Sequence, residues 1–165
     1  MTWKVLAERA IPQAIEDTST TQKVEIGSII QGIDPTYGAG EFIYLKGVAS
    51  TTVGAPVTYN TGSFTTALAP VGANLAQPIA FAMSANVASQ WGWYQISGIA
   101  VAKKTCTVSL AANAKVGILT IGLLAGTGSS KEINGALVAV VASATAGRTT
   151  VQLVINRPVM QGRVT

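Results

Sequence analysis

A chain of 165 residues is long enough for one domain that buries most of its apolar surface without a metal ion or a disulfide. It contains no histidine, one cysteine and seven carboxylates, so the usual base of serine and cysteine hydrolases and the commonest nitrogen ligand of zinc are missing. Charged residues make up only 11% of the chain, against about 25% in ordinary domains. We therefore predict a structural protein and not an enzyme, with no cofactor and no bound metal.

The basic residues are scattered along the chain and do not form a cluster. The net charge is +4, and the densest group is the pair Lys103 and Lys104, which is far shorter than the basic runs that bind nucleic acids. The longest apolar stretch, residues 136–146, is shorter than the roughly 20 residues of a membrane-spanning helix. We expect neither nucleic acid nor a membrane as partner. A surface so poor in charge suits contacts with other protein subunits.

Residues 1–21 differ from the rest of the chain, because charged residues and a run of Thr and Ser replace the apolar pattern found later. This composition predicts an extended N-terminal arm. Trp3 lies near the terminus and has no core of its own to enter, so we expect it to anchor the arm in a groove of a partner, with Lys4 and Arg9 beside it. A truncation that starts near Gln22 is then expected to keep the fold and to lose partner binding.

Residues 22–165 are predicted to form a single β domain. Short runs rich in β-branched and aromatic residues alternate with turn signals such as Asp34-Pro35 and Asn134-Gly135, a spacing typical of a small β-barrel or sandwich. Helix signals are weak, because Pro70 and Pro78 interrupt the Ala-rich region. We expect at most one or two short helices, one of them near residues 85–89. The predicted fold class is all-β.

Asp34 and Glu41 flank a glycine-containing loop. Two acids that meet across a turn could hold a cation together with backbone carbonyls. The favoured interpretation is an Asp-Pro turn with Glu41 at the solvent edge of a strand.

Two other motifs suggest chemistry but fit it poorly. Residues 122–131 contain glycines followed by Lys131, yet a phosphate loop needs Gly-Lys-Ser/Thr at the start of a helix. We interpret this segment as a flexible hairpin tip. Cys106 falls on the same strand face as Val108, so we expect a buried and inert thiol.

Two segments of the chain are similar to each other. In residues 42–49 and again in residues 93–100, a strand led by aromatic residues runs into glycine, a β-branched residue and alanine. Two similar β-units could pack together. The alternative is that strand, glycine bend and strand is a pattern shared by many small barrels.

Trp91 and Trp93 fall on one face of a strand, and Tyr94 falls on the other. Core packing is the first interpretation of such a pair of indoles. A platform on which sugar rings stack is the alternative, because flat aromatic rings bind the faces of pyranoses.

Residues 34–49 (DPTYGAGEFIYLKGVA) and 91–100 (WGWYQISGIA) resemble the head decoration, or capsid cement, proteins of tailed bacteriophages. The resemblance covers residues 34–108. It implies a β-rich homotrimer that sits on the outer surface of the phage head and clamps adjacent subunits of the major capsid protein. The expected role is therefore that of a structural virion protein that stabilises the shell, and the expected partner-binding residues are Trp3, Lys4, Arg9, Trp91 and Trp93. The alternative is a carbohydrate-binding or adhesin-like β module, or a tail component, of a virion.

Overall fold

The structure is a computed structural model that describes residues 4–5, 11–105, 107–127, 131–144 and 149–161. These residues form an all-β fold without a helix, as the spacing of turn signals predicted. The strands are β1 Lys4–Val5, β2 Thr18–Ser19, β3 Ile29–Asp34, β4 Gly38–Lys46, β5 Pro56–Tyr59, β6 Thr66–Leu68, β7 Ile79–Ala82, β8 Trp91–Lys103, β9 Lys115–Thr120, β10 Leu123–Gly126, β11 Glu132–Val138 and β12 Thr150–Met160. No described segment is a helix able to cross a membrane.

The short helix predicted near residues 85–89 is wrong. This segment is an irregular loop between β7 and β8, and Ser89 adopts a positive φ of 62°. The loop is fixed by contacts distant in sequence, because a Cβ on either Gly47 or Gly92 would collide with Asn86. Tertiary packing thus overrides the helix propensity of the two alanines in this segment, which Asn86, Val87 and Ser89 support only weakly.

The strands pair antiparallel in the order β1-β3-β4-β8-β12-β11-β9-β10, with β2, β5, β6 and β7 attached off this path. The longest strand, β8, with 13 residues, organises the fold. Its first half pairs with β4 and with β2 and β7, and its second half pairs with β12. The register of β4 shifts between Glu41 and Phe42, next to Gly98 of β8, which has a φ of 98°. Such irregularities sharpen the local twist of a sheet.

Strand pairing follows the same pattern twice. The neighbour order β4-β8-β7-β5-β6 is repeated as β8-β12-β11-β9-β10, with β8 taking part in both sets. Each set also contains one parallel bridge, Lys46 with Thr65 in the first and Lys104 with Leu124 in the second. The two similar sequence segments lie on β4 and β8, which hold equivalent places in the two sets. This repeated pairing order agrees with the prediction of two similar β-units.

The apolar core is divided in the same way. One buried cluster joins β4, β5, β7 and β8 and is centred on Leu45, Val57 and Tyr94. A larger cluster lies among β7 to β12 and includes Phe81 and Leu153. A third cluster covers the other face of β4 and β8: Ile15, Phe42, Tyr44, Met83 and Trp93.

The described part of residues 1–21 packs against the sheet instead of extending from it as an arm. Ile15 is only 2% exposed and belongs to the third core cluster. Strand β2 pairs with the start of β8, and β1 pairs with β3. The reason is that Ile15 and its neighbours cover aromatic side chains that would otherwise face water. The folded domain therefore begins before Gln22, and a truncation at that point would uncover its core.

Candidate partner-binding surface

Trp93 is fully buried. Its indole Nε1 donates a hydrogen bond to the Gln13 carbonyl over 3.1 Å, and its ring packs edge-on against Tyr44 with 4.9 Å between centroids. Trp91 is only partly buried, and the Lys46 ammonium lies 5.5 Å from the centre of its ring. The prediction that both indoles share a face, with Tyr94 on the opposite one, is confirmed. The burial of Trp93 leaves no pair of exposed indoles for a glycan or a partner.

Gln13 is a residue that sequence reasoning missed. It is 5% exposed, and its Nε2 donates to the carbonyls of Trp91 and Asp17, each over 2.9 Å. Its Oε1 accepts a 2.6 Å hydrogen bond from the Tyr44 hydroxyl. The residue thus joins β4, β8 and the N-terminal segment. No local signal marks it, since a glutamine in a polar segment is ordinarily solvated.

The other predicted contact residues lie near the N-terminus. Lys4 is exposed on β1, where it pairs with Ile33 at one side of the sheet. Trp3 and Arg9 lie outside the described residues. Cys106 also lies outside them.

The predicted Asp-Pro turn is confirmed. Asp34 is buried, and its Oδ1 accepts hydrogen bonds from the backbone amides of Thr36 and Tyr37, at 2.8 and 3.1 Å. Glu41 instead pairs with Arg157, at 3.2 Å. The two acids therefore serve different partners and do not converge on a cation. Within the described ranges, no three Asp, Glu or Cys side chains are grouped in a way that could hold a metal ion.

The segment 122–131 is not a hairpin tip throughout. Residues Leu123–Gly126 form β10, which pairs with β9 across a turn at Ile121 and Gly122. Apolar residues at positions 124 and 125 are buried, which fixes a strand where the glycines had indicated a flexible loop. Residues 128–130 lie outside the described part of the chain.

The basic pair Lys103 and Lys104 is divided between the surface and the core. Lys104 is 1% exposed, and its Nζ donates to the carbonyls of Thr105 and Val108 over 3.2 and 2.9 Å. A lysine held by backbone carbonyls fixes the loop that follows β8 and offers no charge to a ligand. Of the pair Lys103 and Lys104, only Lys103 therefore remains available at the surface.

An apolar patch lies on the solvent side of β8, β12 and β11. Ile99 of β8 faces Val154 of β12, and Val154 faces Leu137 of β11, so the three side chains form a row on one face. Val154 is 51% exposed and Leu137 is 43% exposed. We call this patch the outer apolar face and define it by the residues Ile99, Val101, Leu137, Val140, Val141 and Val154.

Beside this row, the outer apolar face contains a groove of about 320 Å³ lined by Val101, Val140, Val141, Gln152 and Tyr37. Val140 and Val141, which follow β11, are 57% and 59% exposed. Single exposed apolar side chains are ordinary on a protein surface, whereas here several of them adjoin one another along neighbouring strands.

The outer apolar face could bind a partner only by burying apolar surface. Full burial of an exposed Val or Leu side chain contributes about 1.5–3 kcal/mol, so covering one that is already half buried contributes roughly half of that. The residues that form the face carry no acid or base. Lys103 opposite Thr150, and Lys115 opposite Leu137, lie beside the face on the neighbouring strand positions. An apolar centre with polar neighbours is the ordinary composition of a protein–protein interface.

Comparison with known proteins adds no relative. No family model matches the chain, and neither a curated protein nor a solved structure is significantly similar to it.

Proposed function

We propose that this chain is a capsid decoration, or cement, protein of a tailed bacteriophage: a structural virion protein, not an enzyme, that binds the outer surface of the head. It stabilises the shell by clamping adjacent subunits of the major capsid protein, and it does so as a homotrimer. The observation that carries the proposal is the outer apolar face, which is a surface built for covering by protein. The low proportion of charge and the resemblance of residues 34–49 and 91–100 support the same role.

The finer architecture is part of this proposal. We infer that the two repeated sets of strands are two small β-barrels that share β8. The bridges Lys46 to Thr65 and Lys104 to Leu124 lie where each set would close. The two main core clusters are the interiors that such barrels would have. A rigid body of this kind holds one apolar face in a fixed shape, so little conformational entropy is lost on binding.

Lattice binding multiplies weak contacts. A trimer that engages several capsid subunits converts each further contact into an intramolecular step, so modest contacts give a large total affinity. Lys4, with Trp3 and Arg9 near it in sequence, remains a proposed additional contact. Since β1 pairs only through Lys4 and Val5, little of the sheet depends on this stretch.

The decisive experiment is co-sedimentation of the purified protein with empty shells of the capsid protein encoded in the same genome, in immature and expanded forms. The variant Val154→Lys places a charge in the centre of the outer apolar face. Its matched control is Val71→Lys, which changes a valine of similar exposure, 41% against 51%, in the loop between β6 and β7. We expect saturable binding of the unchanged protein and of the control to expanded shells, and loss of binding for Val154→Lys.

Sedimentation of the free proteins separates two uses of the face. If Val154→Lys is monomeric while the unchanged protein is trimeric, the face lies between copies of the chain. If the variant remains trimeric and no longer binds shells, the face contacts the capsid. Normal binding and normal assembly of Val154→Lys would refute the role given to this face.

Failure of the unchanged, folded protein to bind either shell would favour the alternative, a carbohydrate-binding or adhesin-like module or a tail component. One observation favours a carbohydrate-binding module among these alternatives: Trp91 is partly exposed, and Lys46 lies above its ring. Its test is tryptophan fluorescence across a glycan panel, with Trp91→Phe as the variant that should lose any response. If no glycan in the panel changes the tryptophan fluorescence, the hypothesis of carbohydrate binding at Trp91 is wrong.

A further inference from the structure

A groove of about 520 Å³ opens between the β5–β6 hairpin and the loop that leads into β7. Its volume lies within the range of about 300–1,000 Å³ that is usual for small-molecule sites. It shares no residue with the outer apolar face. We call it the polar groove and define it by the residues Thr58, Tyr59, Asn60, Ala67, Gln77 and Pro78.

Thr58 is a buried polar residue in the wall of this groove. It stands on the middle strand of three, opposite Ala67 of β6 and Ile79 of β7, and it is only 4% exposed. Its hydroxyl makes no hydrogen bond to any described residue, although buried hydroxyls are ordinarily paired. Because Thr58 lines the groove, a molecule bound there can supply the missing partner.

Two side-chain amides add hydrogen-bonding groups. The Asn60 Oδ1 accepts hydrogen bonds from the backbone amides of Gly62 and Ser63, each over 2.8 Å, so its Nδ2 remains available as a donor. The Gln77 backbone carbonyl accepts a hydrogen bond from the Met160 amide over 2.8 Å, and its side chain is exposed. The polar groove therefore presents hydroxyl and amide groups from two separate segments of the chain.

Both walls of the groove are held in place by contacts within the protein. The Pro78 carbonyl accepts a hydrogen bond from the Tyr59 amide over 3.3 Å, and Pro78 also forms a bridge with Val159 of β12. Ala76, which lines the groove, has a φ of 44°, a left-handed conformation that is uncommon for alanine. Such a conformation persists only where the surroundings impose it, and it is concentrated at ligand sites. A preformed groove loses little conformational entropy when it binds a ligand.

The charge around the groove favours a neutral ligand. None of the described residues that line it is acidic or basic. Burial raises the pKa of Tyr59, and the nearby Arg157 guanidinium lowers that pKa by a smaller amount, but this guanidinium is paired with Glu41 at 3.2 Å. A charged ligand would lose hydration in the groove without gaining a free opposite charge. Between the polar groups, Ala67 and Pro70 supply apolar contacts.

We propose that the polar groove binds a short neutral saccharide. A sugar ring carries hydroxyl groups along its edge and apolar C–H groups on its faces, so it matches a site in which hydroxyl, amide and apolar groups alternate. The Thr58 hydroxyl and the side-chain amides of Asn60 and Gln77 bond to sugar hydroxyls, and Ala67 and Pro70 contact the faces of the ring. This binding activity is additional to shell binding and involves none of the residues assigned to it.

The first test is a titration of the ¹⁵N-labelled protein with the methyl glycosides of glucose, galactose, mannose and N-acetylglucosamine, followed by backbone amide chemical shifts. We expect at least one glycoside to cause saturable shifts at residues 58–61, 65–68 and 76–77, and glucuronate and glucosamine, which are charged, to cause smaller ones. The proposal is wrong if no neutral glycoside shifts these amides, or if a charged sugar binds there more tightly. It is also wrong if a blocked triglycine peptide shifts them and no glycoside does.

The second test uses variants of the groove. Thr58→Val removes the unpaired hydroxyl and keeps the shape of the side chain, so we expect an unchanged unfolding midpoint and a saccharide affinity lower by about three- to tenfold, the value of one hydrogen bond. Its matched control is Thr120→Val at the exposed end of β9, which should bind normally. Unchanged affinity of Thr58→Val, or a loss of its stability, would contradict the role given to this hydroxyl.

A blocking variant locates the site. Ala67 is exposed at the groove, so Ala67→Tyr fills it without disturbing the core and should abolish the shifts. Persistent saccharide binding by Ala67→Tyr would show that the site lies elsewhere and would overturn the proposal. Its binding to capsid shells should stay normal, which separates a failure of this inference from a failure of the proposed function.

Discussion

Replacing Gln13 tests whether the N-terminal segment belongs to the folded domain. The variant Gln13→Ala removes the two hydrogen bonds from Nε2 to Trp91 and Asp17 and the 2.6 Å bond from the Tyr44 hydroxyl. It leaves the Tyr44 hydroxyl proton without its acceptor inside the third core cluster. A neutral hydrogen bond contributes about 1 kcal/mol, and a buried group left unpaired costs about 1–3 kcal/mol. We expect a loss of about 3 kcal/mol in the free energy of unfolding, working from these same values.

The assay is urea unfolding followed by tryptophan fluorescence, since the buried Trp93 reports on this region. The matched control is Gln77→Ala, which truncates an exposed glutamine and should change the stability by less than about 0.5 kcal/mol. A double variant with Tyr44→Phe should cost less than the sum of the two single changes, because both remove the same hydrogen bond.

If Gln13→Ala unfolds at the same urea concentration as the Gln77→Ala control, the reasoning is refuted. Residues 11–21 would then contribute nothing to the domain, and the arm expected from sequence would be the better description. Deletion of residues 1–21 is a second test of whether the N-terminal segment belongs to the folded domain. It removes Ile15 together with Gln13, and we expect a protein that no longer folds cooperatively.

Two further predictions follow from the region around β8. Gly92→Ala should destabilise the protein by about 1–3 kcal/mol, because its methyl group would collide with the buried Asn86 amide. Gly126→Ala, where nothing lies within reach of a Cβ, is the control, and equal unfolding midpoints would contradict the packing. Tyr94 has a pKa raised by burial to about 12 from 10.0, so the unfolded chain loses the phenol proton first as the pH rises. Stability from this group is fully present below pH 10 and is lost between about pH 10 and 12, by roughly 2–3 kcal/mol. Unfolding midpoints measured across this range should therefore fall more steeply for the unchanged protein than for Tyr94→Phe, and parallel curves would contradict the shift.

Features that depend on neighbouring residues could be read from the sequence. The all-β class follows from short β-branched and aromatic runs between turn signals. The alternation of side chains placed Trp91 and Trp93 on one face and Tyr94 on the other, because a strand has a strict period of two. The Asp34 turn was predictable for a similar reason, since its carboxylate bonds to amides two and three residues ahead.

What the pattern could not supply is which face of each strand is covered, and by what. Trp93 is buried because residues 11–19 lie across β4 and β8, a contact between segments some 80 positions apart along the chain. Elsewhere, Lys104 is buried where it forms a bridge with Leu124, whereas Val154 stays at the surface. Local sequence patterns predicted the all-β class, the Asp34 turn and the similarity of two segments, but they did not predict strands β1, β2 and β10. The tertiary structure alone decided that β8 serves both sets of strands, that the N-terminal segment completes a core, and that one apolar face stays open, because burial depends on the whole chain and not on local periodicity.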